Sequence, residues 1–234
     1  MFDAVTFPIA EIFVAPQGEA TFAGTMMMFI RLAGCTVGRQ FTLQEKAHFQ
    51  ITNNYQTKCT AWDGTEFACD TDYRSTQFMQ ARDVADFAML RNVKRVCLTG
   101  GEPLMHKELH ALVNRLTEYG LRVHIETSGT QPLKEFRAKV HNNSLVWITV
   151  SPKKGYLPAE IECYADEIKI LVDEETSESG LIDFIRMFTK PIWIQPINGE
   201  KTINQKNVEK CLKIMEKHPD VRLSIQLHKV IGTR

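Results

Sequence analysis

From Ser75 onward the chain alternates short apolar runs with segments of helical period, and this alternation is what most restricts its fold. A helical pattern over about 76–91 precedes the run Lys94–Thr99, and another over about 106–119 precedes Leu121–Glu126. A weaker helix near 131–140 leads to Leu145–Val150, while Glu167–Val172 is followed by a helix near 178–188 and by Pro191–Gln195. A last helix, about 203–217, carries Val208, Leu212 and Met215 at helical spacing, and a strand over Val221–Leu227 closes the pattern. Strands joined by crossover helices pair in parallel, because each helix returns the chain to the same end of the sheet. The pattern predicts a parallel sheet, either a barrel or an open twisted sheet. With no repeat, low-complexity tract or linker, residues 1–234 read as one domain.

Ahead of the alternation, residues 5–15 are mostly apolar and end in the loop Pro16-Gln17-Gly18-Glu19. Residues 26–33 read as a strand that leads directly into Cys35. Residues 36–74 are polar and weakly periodic, with a candidate helix over 42–50. An irregular stretch that long inside a compact domain is usually functional.

Lys and Arg balance Asp and Glu, so no broad field exists to hold nucleic acid or an anionic membrane. Met1-Phe2-Asp3-Ala4 lacks the basic and apolar regions of a signal peptide, and no apolar run approaches the roughly 18–20 residues of a membrane helix. A cytoplasmic setting is expected. There, six cysteines argue for thiols, metal or redox chemistry before disulfides.

Three of those cysteines, Cys35, Cys59 and Cys69, fall in the polar stretch. Three thiolates can hold an iron–sulfur cluster by three corners and leave the fourth iron open to a ligand. A zinc site or unrelated thiols are the alternatives, although gaps of 23 and then 9 residues fit no compact zinc ribbon. Cys97, inside a buried strand, and the isolated Cys163 and Cys211 read as structural. Downstream, Thr99-Gly100-Gly101-Glu102-Pro103, Glu126-Thr127-Ser128-Gly129-Thr130 and Ser151-Pro152-Lys153 each follow an apolar run. Each therefore marks the C-terminal end of a parallel strand, where α/β folds gather their active sites. Glu102 suits either an ammonium ligand or a helix N-terminus, and Ser128 and Ser151 alone suit capping. Gln17, Glu19, Arg31 and His228 are polar residues beside apolar strands.

Taken in order, these motifs resemble one family. Gln17-Gly18-Glu19, Arg31 through Cys35, Cys69-Asp70-Thr71, the Gly-Gly-Glu-Pro, Thr-Ser-Gly-Thr and Ser-Pro-Lys loops, and Ser224-Ile225-Gln226-Leu227-His228-Lys229 resemble the 7-carboxy-7-deazaguanine synthases. These belong to the radical S-adenosylmethionine superfamily, and the resemblance runs from Glu11-Ile12-Phe13 to the C-terminus. It implies a modified, incomplete (β/α) barrel with a mainly parallel sheet and a cluster-loop insertion at about 36–74. It implies a 4Fe-4S cluster on Cys35, Cys59 and Cys69. S-adenosylmethionine would contact Ala68, Asp70, Gly101, Glu102, Ser128, Ser151, Pro152, Lys153, Gln195 and Asn198. Mg²⁺ would take the Thr71 hydroxyl. The implied substrate is 6-carboxy-5,6,7,8-tetrahydropterin, held by Pro16, Gln17, Gly18, Glu19, Arg31, Thr99, His228 and the terminal carboxylate of Arg234. The implied product is 7-carboxy-7-deazaguanine, a precursor of queuosine-type deazapurines. An external electron donor such as a flavodoxin and a homodimer are implied as well, with no direct nucleic-acid or membrane partner.

The cysteine spacing departs from the superfamily. Its usual second cysteine falls on Arg39 when counted forward from Cys35, and on Glu66 when counted back from Cys69. Cys59 is assigned because the loop contains no other cysteine. Ala68 stands where an aromatic residue commonly precedes the last ligand. Two rival readings are a different radical enzyme, such as a glycyl-radical activase, and a clusterless binding protein on the same fold.

Overall fold

The computed structural model describes residues 4–48, 56–69, 71–199 and 202–232. The chain opens with an antiparallel pair, β1 (Thr6–Pro16) and β2 (Met26–Leu32). The polar stretch follows, with β3 (Arg39–Gln40), α1 (Leu43–His48), β4 (Thr57–Thr60) and β5 (Glu66–Ala68). Next come β6 (Gln77–Gln80), α2 (Ala81–Leu90), β7 (Arg95–Gly100), α3 (Leu109–Glu118), β8 (Arg122–Thr127) and α4 (Leu133–Lys139). The chain continues through β9 (Val146–Val150), α5 (Pro158–Tyr164), β10 (Glu167–Val172), α6 (Glu178–Ile185) and β11 (Ile192–Pro196). It finishes with α7 (Gln205–Lys217), β12 (Arg222–Leu223) and α8 (Leu227–Ile231).

The large sheet runs in the order β12-β11-β10-β9-β8-β7-β2-β1-β6. All pairs from β2 to β12 are parallel, while β1 is antiparallel to both β2 and β6. β6 and β12 remain as edges, so the barrel is incomplete and the sheet mainly parallel. Across the opening, the segment after β1 meets the C-terminal segment: Leu227 N–H donates to Gly18 O at 3.0 Å, and Ala20 N–H to Ser224 Oγ at 3.1 Å.

Strand alternation assigns the two faces different chemistry. Val96, Leu98, Val123, Ile125, Ile148, Val150, Ile168, Ile170 and Ile194 are fully buried in the principal apolar core beneath the helices. Each such side chain stabilises the fold by about 1.5–3 kcal/mol. Among the interleaved positions, Thr99, His124, Thr149, Glu167, Lys169 and Gln195 are buried polar residues.

Several boundaries differ from the sequence expectation. The start of the 76–91 segment is strand, because Gln77–Gln80 pair with Thr6–Ile9 and the helix begins only at Ala81. The closing strand shrinks to Arg222–Leu223, and Leu227 begins a helix. On α7 the inward face is Asn207, Cys211 and Ile214, one position from the expected stripe, and Leu212 is exposed. Asn207 is buried because its side chain donates to Ile197 O at 2.6 Å and accepts from Glu174 N at 2.9 Å. The helix α5 was not foreseen, and neither was the small antiparallel sheet β3-β4-β5. The candidate helix over 42–50 is observed as Leu43–His48, and residues 49 and 50 lie outside the described residues.

Asp166 ties two helices to the sheet. It accepts from Arg137 Nη2 at 2.5 Å and from Ile148 N at 2.7 Å, while Arg137 also reaches Tyr164 O and Val146 O. Asp166→Ala strands a half-buried guanidinium and a strand N–H, so we expect a loss of about 2–3 kcal/mol. Urea unfolding checks this, with a lowered midpoint at an unchanged slope.

Candidate active site at the strand tips

The C-terminal ends of the parallel strands open into a cavity of about 770 Å³. Cys35, Cys59 and Cys69 all line it, Cys35 just after β2, Cys59 from β4 and Cys69 just after β5. Val37 N–H and Gly38 N–H each point at Cys35 Sγ from 3.4 Å. Such backbone donors are a common device for stabilising metal-bound thiolates. Burial raises the Cys59 thiol pKa, and nearby Lys153 opposes that shift. Tyr73 sits near all three sulfurs; burial first, and then their charges, push its phenol up to about 12 despite its bond to Thr57 Oγ1.

Of the expected S-adenosylmethionine contacts, Ala68, Gly101, Ser128, Ser151, Lys153, Gln195 and Asn198 line the same cavity. Glu102 and Pro152 are buried and do not. The Glu102 carboxylate is turned into the fold, where it accepts from Leu104 N at 3.0 Å, Thr127 Oγ1 at 2.7 Å, Ser128 N at 2.8 Å and Ser128 Oγ. It serves as a 3₁₀-helix cap and a bridge between strand tips, the second of the two sequence readings. At Gly101 a Cβ would lie 2.2 Å from Gly34 O and 2.5 Å from Cys35 Cβ, so only glycine allows the cysteine loop this close. Lys153 Nζ donates to Ser151 Oγ at 2.7 Å. Burial lowers its pKa, against the opposing pull of the Cys59 and Cys69 thiols.

The expected substrate residues Pro16, Gln17, Gly18, Glu19, Arg31, Thr99 and His228 also face the cavity, as does the expected Mg²⁺ ligand Thr71. Asp70 and Arg234 lie outside the described residues. Arg31 Nε donates to Glu11 Oε1 at 2.8 Å. At Gly18 a Cβ would sit 2.7 Å from His228 Nδ1, so the glycine lets that imidazole approach the β1 loop.

Beneath these residues lies a buried network that the sequence reading missed. Glu126 accepts from Thr99 Oγ1 at 3.0 Å and Gln17 Nε2 at 3.1 Å. His124 lies between Gln17 Nε2 at 3.3 Å and Thr149 Oγ1 at 2.7 Å. Thr149 donates to Glu167 at 2.6 Å, and Glu167 also accepts from Trp193 Nε1 at 2.9 Å. Burial lowers the His124 pKa, which matches a neutral ring accepting at Nδ1 and donating from Nε2. Burial alone would raise Glu126, but the Lys169 charge and the hydrogen bonds from Thr99 and Gln17 hold it below its ordinary value. Cys97, His124 and Glu126 present ligand atoms within 4.8 Å of one another. Both His124 nitrogens and both Glu126 oxygens already have partners, so hydrogen bonding accounts for this group without an ion. The available signal was polar residues alternating with apolar ones inside buried strands, as in Val123-His124-Ile125-Glu126 and Glu167-Ile168-Lys169-Ile170.

Residues 59–156 match the model of the Radical SAM superfamily. The chain is 31% identical to the 7-carboxy-7-deazaguanine synthase of Synechocystis sp., covering 98% of this chain and 95% of that protein. It is 30% identical to the enzyme of that name from Bacteroides thetaiotaomicron, over 97% and 98% of the two chains. The chain belongs to the 7-carboxy-7-deazaguanine synthase family. The crystal structure of QueE from Escherichia coli matches it with a TM-score of 0.67 at 25% identity, across 97% of both chains. As a member, the chain is a radical S-adenosylmethionine enzyme whose cofactors are a 4Fe-4S cluster and S-adenosylmethionine. Its residues fit that pair, with three thiols lining one cavity, backbone donors on one sulfur and a glycine-built approach beside it. Membership favours the synthase over an activase, and the three thiols in one cavity favour an enzyme over a clusterless binder.

Replacing Glu102 by Ala leaves four donors without their acceptor in a fully buried position. We expect a loss of about 3 kcal/mol, read by urea unfolding of the apoprotein, and lower iron retention after anaerobic reconstitution.

Proposed function

We propose that this chain converts 6-carboxy-5,6,7,8-tetrahydropterin to 7-carboxy-7-deazaguanine, with loss of ammonia, in deazapurine biosynthesis. The observation that carries the reading is one cavity joining the three thiols to the polar set Gln17, Glu19, Arg31 and His228. When bound, the reduced cluster and S-adenosylmethionine supply a 5′-deoxyadenosyl radical, the step no side chain can perform.

The chain's own residues bind and orient. Cys35, Cys59 and Cys69 hold the cluster, and the Lys153 ammonium offsets the thiolate charge. Gly101, Ser128, Ser151, Gln195 and Asn198 line the S-adenosylmethionine half, where Gly101 lets the ligand lie against the backbone. Arg31, braced at Nε by Glu11, offers a planar fork to the substrate carboxylate. Gln17, Glu19 and His228 pair with the polar pterin edge, and Thr99 completes that wall. The Thr71 hydroxyl is a hard oxygen suited to Mg²⁺, which keeps most of its waters and binds through few protein ligands. Together these residues would fix the substrate's orientation toward the cofactor half of the cavity and shield it from water. The chain acts as one domain and as a homodimer, and takes its electron from an external donor such as a flavodoxin.

Anaerobic turnover read by mass spectrometry tests the reading. Wild type with S-adenosylmethionine, reductant, Mg²⁺ and the carboxytetrahydropterin is expected to form product, and Cys59→Ala to form none while binding less iron. Product from both proteins would keep the activity and discard Cys59 as a ligand. A full cluster that cleaves S-adenosylmethionine without product would reject the substrate. Thr71→Ala is expected to raise the Mg²⁺ concentration for half-maximal rate by about tenfold or more, with cluster absorbance unchanged.

A further inference from the structure

Lys169 projects from β10 into the cavity. Its neighbours Ile168 and Ile170 are fully buried in the opposite, apolar face, so strand alternation fixes its direction. The side chain is almost completely enclosed, which makes an ammonium costly unless it is paired. Its partner is Glu19: Lys169 Nζ donates to Glu19 Oε2. Gln195 Nε2 donates to the other oxygen, Oε1, at 3.2 Å. Gln195 is itself fixed by Ser224 Oγ at 2.8 Å, and Ser224 accepts from Ala20 N, the residue after Glu19. The Glu19 carboxylate is therefore clamped at both oxygens while it faces the cavity.

The floor also concentrates negative charge. Glu126 faces the cavity on β8 and Glu167 lies below on β10, and the Lys169 ammonium interacts with both as well as with Glu19. Those carboxylates outweigh burial and raise the Lys169 pKa, so the amine stays protonated throughout the neutral range. Elsewhere on the floor His124 is a neutral hydrogen-bonding ring. Without Lys169, Glu19 would lose its ion-pair partner and keep only the Gln195 hydrogen bond on Oε1.

We propose that Lys169 is a positioning residue for substrate recognition, holding Glu19 so that its carboxylate accepts from the N–H donors along the 2-amino-4-oxo edge of the pterin. The proposal rests on the carboxytetrahydropterin reading above. Lys169 acts through Glu19, its ion-pair partner.

Steady-state kinetics on reconstituted holoenzyme test it with Lys169→Met, Glu19→Gln and the double variant. Lys169→Met is expected to raise KM for the carboxytetrahydropterin by about tenfold or more at nearly constant kcat, the pattern of lost binding common to ground and transition states. Its iron content and its affinity for S-adenosylmethionine, measured without substrate, should match wild type. The double variant is expected to have a KM within about threefold of Glu19→Gln alone, since residues that act as one unit are not additive. Lys169→Arg, which keeps the positive charge facing Glu19, Glu126 and Glu167, makes the test independent of the methionine variant. Its KM is expected to stay within about threefold of wild type, and a tenfold rise in KM in a folded, iron-loaded arginine variant would count against the proposal. A further tenfold rise in the double variant, or a wild-type KM in Lys169→Met, would overturn the proposal while leaving the function intact. Absence of product from wild type would remove the function reading and this proposal with it.

Discussion

The rim of the active site depends on the carboxylate of Glu102. Its four donors come from its own loop and from the Thr127-Ser128 tip of the neighbouring strand, so it locks two strand ends at one height. Main-chain bonds extend that lock to both sides. Glu102 N donates to Gly34 O at 3.1 Å, and Gly34 N to Tyr73 O at 2.9 Å, which fixes the loop carrying Cys35. On the other side Ser151 N reaches Thr127 O at 2.8 Å and Lys153 N reaches Ser128 O at 3.2 Å. A continuous belt of hydrogen bonds thus runs from the cysteine loop to the Ser-Pro-Lys loop. Buried charge is normally a liability, and here the complete satisfaction of one carboxylate turns it into the fixed point of the belt.

The floor follows the same physics with more members. Polar residues inside a barrel must satisfy one another, since water is largely excluded and an unmade bond is expensive. Trp193, Glu167, Thr149, His124, Gln17, Glu126 and Thr99 form one connected chain from β11 back to β7. The network holds Gln17 by its amide and its own loop by Glu19 N–H, so the recognition loop after β1 is positioned from below. Rigidity at the floor and at the rim leaves the cavity between them preorganised, which is the condition for orienting a radical against one carbon.

The sequence revealed the periodic parts. Buried parallel strands are short β-branched runs, and their C-terminal loops are rich in glycine and hydroxyl residues, so strand tips and motif residues were readable from local pattern. The floor was not. His124, Glu167 and Lys169 are unremarkable polar residues until sheet closure brings strands from distant parts of the chain together, and Glu19 meets Lys169 only across that closure. Glu102 shows the limit of a motif. Its position was readable, but whether its carboxylate faced a ligand or the fold depended on donors 25 and 26 residues away. Gln77–Gln80 show tertiary context overriding local preference, because the outer edge of β1 was available for pairing.

The cysteine loop illustrates how altered spacing can still bring a third thiol to the cavity. The two positions where the superfamily's spacing would put a cysteine carry Arg39 and Glu66, and both join one ion-pair cluster. Arg39 pairs with Glu45 at 2.5 Å, Lys58 with Glu45 at 2.7 Å, and Lys58 also with Glu66. These charges staple β3, β4 and β5 into the small antiparallel sheet. In that sheet Lys58 stands opposite Arg39 and Ala68, while Cys59 stands opposite Phe67. Alternation sends adjacent residues to opposite faces, so a strand that anchors Lys58 in the ion cluster must turn Cys59 the other way. Cys59 and Phe67 do line the cavity and Lys58 does not, while Ala68, the last residue of β5, lines it too. The charged residues at the displaced positions are therefore what holds the central strand in the register that presents the thiol. A third cysteine thus reaches the cavity from a short antiparallel sheet.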